Sequence, residues 1–316
     1  MNSSALRRSA LPAALVLCGS LAFTACGSSG TGGPAAAGPV TVAGVSISSD
    51  PALHDALPEA VKKSGKVRVA TDVPYAPFEM YVTEGSKEMT GLDYDLGQAL
   101  GAKLGVRFEF TAQKFDGIVP ALQAGKYDAA ISAITDNKER EQVVDFVDYS
   151  VSGSGILVAK GNPQKIATLD DLCGHPVAVQ TATNQQKLLD KHQDKCRELG
   201  KGAVDVQTFP KDSDAQLALR SGKVVADVLT KPAAGWTAKS ADDGSAFEVV
   251  DDPAALGGYN ASPNGIAVAK NLPQLTDAVQ KALQALIDDG SLAKIYDKYG
   301  VASIAVEQAA KNGAVD

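Results

Sequence analysis

Aromatic residues are scarce in this 316-residue sequence, at 5% of the chain, and the basic residues form no run. The formal net charge is −7, so no nucleic-acid partner is expected. A glycine-rich dinucleotide motif and a phosphate loop are both missing, and Gly153-Ser154-Gly155 lacks the spacing of a hydrolase nucleophile elbow. These absences argue against nucleotide-dependent and serine-hydrolase activities, and no cofactor is expected.

The first 25 residues have the pattern of an export signal. Two arginines, Arg7 and Arg8, precede an apolar stretch from Leu11 to Phe23 that is too short for a permanent membrane span. The small residues before Cys26 resemble a bacterial lipobox, although Phe23 stands where leucine is usual. The alternative is an ordinary signal cut near Ala25. We expect removal of residues 1–25, lipidation of Cys26 and attachment to the outer face of the cell membrane through lipid alone.

Cysteine is also rare, with four residues in all, two of them in the signal region. The other two, Cys173 and Cys196, lie in a segment expected to be exported, where thiols usually form a disulfide. A metal site with His175 or His192 is the alternative, but the spacing does not suit zinc and we expect no bound metal. A disulfide closing this loop would stabilise the fold by roughly 3 kcal/mol.

Segments with the pattern of strands alternate with segments typical of helices in both halves of the chain. This order predicts an α/β fold with two lobes, each a mostly parallel sheet flanked by helices, joined by two crossing strands. The glycines after Val151 suit a hinge between the lobes. The expected boundaries are a flexible tether at 26–50, lobe 1 at 51–153 plus 262–302, lobe 2 at 154–261, and a loose tail at 303–316.

One stretch, from Ser132 to Phe146, organises the functional hypothesis. It follows an apolar run at Tyr127–Ile131 that is typical of a buried parallel strand, and it leads into a helical turn containing Arg140. Strand ends that run into helix starts are where open α/β sheets bind small ligands. Arg140 would offer a fork of donors for a carboxylate, with Thr135 beside it. On spacing alone, Arg140 could instead pair with Glu139 or Glu141 at the surface.

Two further loops follow predicted strands. A proline-braced loop after Ala70 presents Tyr75 and Phe78, and Phe78 is expected in the core. Thr183 and Asn184 stand at a helix start, where exposed amides favour an anion. Asp93 is expected to cap the helix that follows Gly91, rather than to bind a metal with Asp95.

From Lys66 to about Val301 the chain resembles the bacterial extracellular solute-binding proteins of family 3, which serve polar amino-acid importers of the ABC type. The resemblance rests on several motifs together: A-T-D-V-P-Y-A-P-F from Ala70, G-L-D-Y-D-L from Gly91, K-F-D-G-I-V-P-A-L from Lys114, the Ser132–Phe146 stretch, and D-D-G-S-L-A-K-I-Y-D-K-Y-G from Asp288. It implies a periplasmic-binding-protein-like fold of type II that closes on an amino acid or related small carboxylate.

The resemblance also implies roles for individual residues. Arg140 and Thr135 would hold the solute α-carboxylate, which Thr183 and the Asn184 amide would meet from the second lobe. The rings of Tyr75 and Phe115 would flank the solute. The positions matched near the solute side chain are Asp72 and Gln180.

Two departures from the family pattern bear on the solute. Many members have Gly-Thr where this chain has Ala182-Thr183. At the position where amino-acid binders usually place an aspartate for the α-ammonium, the alignment gives Thr230 or, after a one-residue slip, Lys231. An unpaired buried ammonium would cost several kcal/mol. Either another acid such as Asp72 substitutes, or the solute lacks an α-ammonium, and Lys231 would suit a second acid group.

The expected partners are the solute and the membrane subunits of an ABC permease, with the protein itself a monomer and not an enzyme. One alternative is an enzyme similar to cyclohexadienyl dehydratase, for which Asp72, Glu79 or Asp145 would be the general acid. Another is a sensor domain that signals through a separate membrane protein.

Overall fold

The computed structural model describes residues 38–83 and 85–315. The predicted signal segment, Cys26 and the tether up to residue 37 lie outside the described residues. The strands are β1 (Val40–Val42), β2 (Val45–Ile47), β3 (Lys66–Thr71), β4 (Met80–Tyr81), β5 (Met89–Thr90), β6 (Arg107–Ala112), β7 (Ala129–Ala130), β8 (Val144–Ala159), β9 (Pro176–Gln180), β10 (Asp205–Phe209), β11 (Ala226–Thr230), β12 (Phe247–Val249) and β13 (Tyr259–Ala269). The helices are α1 (Pro51–Asp55), α2 (Glu59–Ser64), α3 (Leu92–Leu104), α4 (Ile118–Gln123), α5 (Lys138–Glu141), α6 (Asn184–Glu198), α7 (Asp212–Arg220), α8 (Lys231–Ser240), α9 (Pro273–Asp288) and α10 (Ser291–Lys298).

A mixed sheet forms the frame, with strand order β10-β9-β11-β8-β13-β7-β3-β6 and β12 added against β8. On one side of β8, strands β9, β10 and β11 are parallel to one another. On the other side, β3 is parallel to β6 and β7. The two parallel groups are joined by the long antiparallel pair β8 and β13. The lobe boundaries given above stay a prediction.

The two crossing strands approach each other most closely at a pair of glycines. A Cβ built on Gly153 would lie 2.4 Å from the Gly258 carbonyl carbon, and one on Gly258 would lie 2.6 Å from that of Gly153. Gly258 also has φ +92°, a conformation that L side chains rarely adopt. Gly153 lies within β8, which runs from Val144 to Ala159.

The hydrophobic core does not divide along the predicted lobes, because the largest cluster includes lobe 1 residues such as Val69 and lobe 2 residues such as Leu229. One large cluster contains the buried faces of α3, α9 and α10, and a second contains Val177, Leu189 and both cysteines of the Cys173–Cys196 disulfide. The expected disulfide is therefore confirmed. Helix α9 buries Leu275, Val279, Leu283 and Leu286 along one face, as its apolar period predicts.

Both ends of the described chain are packed, which differs from the expected tether and tail. Strands β1 and β2 form a hairpin whose Val42, Val45 and Ile47 are buried in the large cluster, so the tether prediction is wrong for 40–47. Residues 303–315 are not loose. Ile304 and Ala309 are buried, and the Asp148 amide donates to the Ala310 carbonyl at 2.9 Å.

Two local predictions also need correction. Gly91, and not Asp93, stands at the N-cap of α3. The Asp93 carboxylate is fully buried and accepts from the Ala133 amide at 2.7 Å and the Tyr149 hydroxyl at 2.9 Å. The strand predicted at Tyr127–Ile131 is limited to Ala129–Ala130.

Phe78 is fully buried, as expected. Among the described residues, no helix combines the length and apolar character that a membrane crossing requires.

Candidate functional site

Four strands end at the same cleft. Asp72 follows β3, Thr135 lies five residues after β7, Gln180 ends β9 and Thr230 ends β11. Because the first two come from lobe 1 and the others from lobe 2, the sheet brings side chains of both lobes together at its carboxyl ends.

Hydrogen bonds cross this cleft between the lobes. Gln180 Nε2 donates to Asp72 Oδ2 at 2.6 Å. The Thr230 amide donates to the Tyr75 hydroxyl oxygen at 2.9 Å, and the hydroxyls of the same two residues lie 2.9 Å apart. The lobes are therefore in contact, and the predicted residues Asp72, Tyr75, Gln180 and Thr230 do converge.

A central cavity lies among these residues and encloses about 20 Å³, which is roughly the room for one water molecule. Its lining is Asp72, Tyr75, Glu79, Phe115, Ser132, Ala133, Thr135, Gln180, Thr183, Asn184, Gln185 and Thr230. A bound amino acid needs more space, so solute entry requires the lobes to separate and some of the crossing hydrogen bonds to break.

Arg140 connects the lobes beside this cleft, and it lines a neighbouring cavity with Phe115, Ala182 and Lys187 and not the central cavity. It is half-buried on α5, which begins after Asn137, whose carboxamide oxygen accepts from the Arg140 amide at 2.9 Å. Its Nη1 donates to the Thr135 carbonyl at 2.7 Å and its Nη2 to the Ala182 carbonyl of lobe 2 at 3.0 Å. The guanidinium lies over the Phe115 ring, 5.5 Å from the centroid.

The charge of Arg140 has no carboxylate partner within 4.0 Å among residues 38–83 and 85–315. Glu139 pairs with Lys187 and Glu141 with Lys138, so the surface ion pair weighed as the alternative does not form. Burial lowers the pKa of Arg140 to about 10, which leaves it charged at neutral pH. A cation whose donors rest on two backbone carbonyls is suited to exchange them for an anion.

The start of α6 faces this arginine. Thr183 is the N-cap: its hydroxyl accepts from the Gln186 amide at 3.2 Å and donates to the Gln180 carbonyl at 2.7 Å. Ala182 adopts φ +63°, in the region where glycine is favoured. Asn184 accepts from Asn137 Nδ2 at 2.8 Å, which adds another bond between the lobes.

The two positions considered for the missing aspartate, Thr230 and Lys231, have different surroundings in the structure. Thr230 is 5% exposed and lines the central cavity. Lys231 begins α8 and donates from Nζ to the Ala255 carbonyl at 3.1 Å, and it does not line the central cavity. The structure thus puts a neutral hydroxyl at this point of the cleft.

Several acids surround the site. Burial raises the pKa of Asp72, and burial raises that of Asp212 to about 7. Burial, with the Asp93 carboxylate nearby, holds the pKa of Glu79 well above its usual range. Ser132 donates to Glu79 Oε1 at 2.6 Å. No binding role was expected from the sequence for Asp212 or Gln185, because each stands outside a recognisable motif and meets the cleft through the tertiary fold, and Ser132 was given none although it opens the Ser132–Phe146 stretch.

The only grouping of metal-ligating side chains found among the described residues is Cys173, His192 and Cys196. Both sulfurs are joined in the disulfide, so neither is available as a thiolate ligand. Asp145, one of the acids considered for catalysis, is bound to Lys270 at 2.8 Å and lies outside the lining of the central cavity.

Residues 67–302 match the family model of the bacterial extracellular solute-binding proteins, family 3. The chain belongs to this family. The arginine-binding protein ArgT of Corynebacterium glutamicum is 29% identical over 263 residues, covering 83% of each chain. The L-cystine-binding protein TcyJ of Escherichia coli is 30% identical over 259 residues, covering 82% of this chain and 90% of TcyJ.

A solved structure supports the same assignment for this family 3 protein. The ancestral amino acid-binding protein AncCDT-1, described as a precursor of cyclohexadienyl dehydratase, is 34% identical with a TM-score of 0.66. The match covers 76% of this chain and 98% of that one. The expected two-lobed type II fold and the solute-binding function are confirmed.

Proposed function

We propose that this family 3 protein is the extracytoplasmic component of an ABC importer, and that it captures an α-amino acid or a closely related small carboxylate. The observation that carries the proposal is Arg140, a charged guanidinium that has no carboxylate partner in the part of the chain that the structure describes and that reaches backbone carbonyls of both lobes. It lies where the capped start of α6 also favours an anion. The named binding functions of ArgT and TcyJ agree with this class of solute.

Capture proceeds by exchange of hydrogen-bond partners. When the lobes separate, Arg140 loses the Ala182 carbonyl and can bind a solute carboxylate with two parallel bonds. Thr135 assists from lobe 1, and Thr183 with the Asn184 amide approaches the carboxylate when the lobes close. Because the solute contacts both lobes, it binds the closed state more tightly than the open one and shifts the population towards closure.

The cationic group of the solute goes to Asp72 in this proposal. Asp72 is 7% exposed, lines the central cavity and has a hydrogen bond from only one side chain, the neutral amide of Gln180. An ammonium would replace that amide and supply the charge that the buried carboxylate lacks. Asp72 thereby substitutes for the aspartate that is missing at Thr230. Tyr75 and Phe115 cover the solute with their rings.

The chain acts as a receptor and not as a catalyst in this proposal. The dehydratase alternative requires a general acid beside the substrate, and Glu79 is the lining acid whose raised pKa would suit it. Purified protein incubated with prephenate should leave it unconverted. Measurable dehydration, lost in Glu79→Gln, would replace the receptor proposal with the enzyme.

Attachment through lipid at Cys26 and a monomeric state belong to the same proposal. Mass spectrometry of the protein from membranes should find a diacylated N-terminal cysteine, and Cys26→Ala should release the protein into the medium. Light scattering of the released form should give a single-chain mass.

A screen of amino acids, keto acids and dicarboxylates by thermal shift tests the function as a whole. A ligand that binds only the native state raises its melting temperature, by an amount that grows with its concentration relative to Kd. At least one α-amino acid should raise the melting temperature and bind with 1:1 stoichiometry in calorimetry. If keto acids bind while every α-amino acid fails, the assignment of Asp72 to an ammonium is wrong.

A further inference from the structure

A second cavity lies beside the central cavity, against the crossing strands. It encloses about 310 Å³, within the range of small-molecule sites, which is roughly 300–1,000 Å³. We name it the hinge chamber, and its lining is Thr135, Ser152, Ser154, Asn184, Gln185, Lys187, Leu188, Lys191, Thr230, Asn260, Ala261, Ser262, Asn264 and Val315. Neither the sequence motifs nor the family resemblance assigned it a role.

The hinge chamber and the central cavity share part of their walls. Thr135, Asn184, Gln185 and Thr230 line both. Thr230 is the position where amino-acid binders of this family usually carry an aspartate. A neutral threonine therefore stands at the boundary, and no negative charge there opposes the passage of an acidic group.

The hinge chamber contains polar groups that the protein itself does not satisfy. Ser154 is 4% exposed and Gln185 is 8% exposed, and neither side chain makes a hydrogen bond within the described residues. Because both residues line the chamber, these polar groups can meet a solute there. Asn264, by contrast, is already engaged, since its Nδ2 donates to Ser152 Oγ at 2.9 Å.

The charge of the lining decides the chemical class of the occupant. Among residues 38–83 and 85–315, the lining has two lysines, Lys187 and Lys191, and no acid. Lys187 is paired with Glu139, whereas Lys191 has no ion-pair or hydrogen-bond partner among the described residues. A cationic arm would find no counter-charge here, while a carboxylate would meet donors from Ser154, Gln185 and Lys191.

We propose that the hinge chamber binds a second acidic group of the solute, so that the solute is an amino acid with an anionic arm. This inference rests on the proposed function, because the α-carboxylate is taken to be held at Arg140. The arm passes between Thr135 and Thr230 and ends at Ser154 and Gln185. The selectivity expected differs from that of an arginine binder.

Calorimetry with matched pairs of probes tests the inference. L-glutamate is compared with L-glutamine, and L-2-aminoadipate with L-lysine. At least one acid should bind about tenfold or more tightly than its partner, because hydrogen bonds to a charged group are stronger than those to a neutral one. Ser154→Ala should weaken binding of that acid about tenfold and leave the affinity for L-alanine unchanged, whereas Gln185→Leu, which alters both cavities, should also weaken binding of that acid.

Two controls separate failure of this inference from failure of the proposed function. Ser221→Ala removes a hydroxyl that donates to the Ala218 carbonyl outside both cavities, and it should change no affinity. Arg140→Ala should abolish binding of acid and neutral probes alike. If neutral or cationic probes bind better and the Ser154 and Gln185 variants have no effect, the hinge chamber is not a subsite although the proposed function stands. If neither an amino acid nor a related small carboxylate binds the wild-type protein, both proposals are overturned.

Discussion

At the scale of single residues, Arg140 has the largest expected effect on binding. We predict that Arg140→Ala weakens solute binding by roughly 2–5 kcal/mol, or at least about 30-fold, because it removes one partner of a partly buried charge pair. The measurement is calorimetry with a solute found in the screen. Arg107→Ala is a matched control, since Arg107 is exposed on β6 and pairs only with Glu109. Unchanged affinity in the Arg140 variant would show that the carboxylate is held elsewhere.

A pair of buried acids, Asp136 and Asp148, predicts how stability depends on pH. They are 1% and 2% exposed, and burial raises the pKa of Asp136 to about 8 and that of Asp148 to about 6. The folded protein therefore keeps protons that the unfolded chain releases near pH ~4. The free energy of unfolding should fall as the pH rises from about 4 to about 8.

The variant Asp148→Asn tests this assignment in urea unfolding at pH 5 and pH 8. It removes one titrating acid and the repulsion that the other experiences, so the loss of stability between these two values should be smaller than in the wild type. Part of the dependence of stability on pH should remain in this variant, because other buried acids such as Asp212 are unchanged. Asp145→Asn, on the same strand, should behave like the wild type. If the Asp148 variant lost as much stability between pH 5 and pH 8 as the wild type, Asp136 and Asp148 would be excluded as the source of the pH dependence.

At the scale of elements, the approach of β8 and β13 gives the sharpest prediction. Gly258→Ala should destabilise the fold by about 1–3 kcal/mol, because its Cβ would lie 2.6 Å from the Gly153 carbonyl carbon. Gly257→Ala is the neighbouring control, since a Cβ there meets nothing within 4 Å and φ is not positive. Chemical denaturation of both variants gives the comparison. Equal stability of the two would mean that the strands can separate without cost.

The elements that the sequence predicted well have strong local patterns. Helix α9, which runs from Pro273 to Asp288, is one of these, because its apolar residues repeat with the helical period. Asp93 was assigned wrongly because its partners, Ala133 and Tyr149, are 40 and 56 residues away. A local sequence pattern contains no information about hydrogen-bond partners so far away in the chain.

The residues of the candidate site likewise divide into those that a sequence motif identified and those that it did not. Arg140, Tyr75 and Thr183 belong to motifs of the family and were found from the sequence. Gln185 and Ser154 were missed as binding residues, because a glutamine in the first turn of a helix and a serine in a strand have no distinctive pattern. Their exposure to a cavity follows only from the contact between lobes.

At the scale of the whole molecule, the bonds across the cleft predict a change of shape on binding. The structure shows contact between lobes through Gln180 with Asp72 and Thr230 with Tyr75. Solute entry must break part of this contact, and bound solute must restore it. Small-angle X-ray scattering should record a smaller radius of gyration with solute than without it, and Arg140→Ala should show no change. Equal radii for the wild type would argue against lobe closure.

The position of Trp236, the sole tryptophan of the sequence, has a practical consequence. It lies half-buried on α8, whose N-cap is Thr230, the residue that meets Tyr75 of the opposite lobe. The chain thus has a single indole emitter joined by one short helix to the place where the lobes meet. Its fluorescence offers a label-free optical readout of solute titrations, with no second indole to dilute the signal.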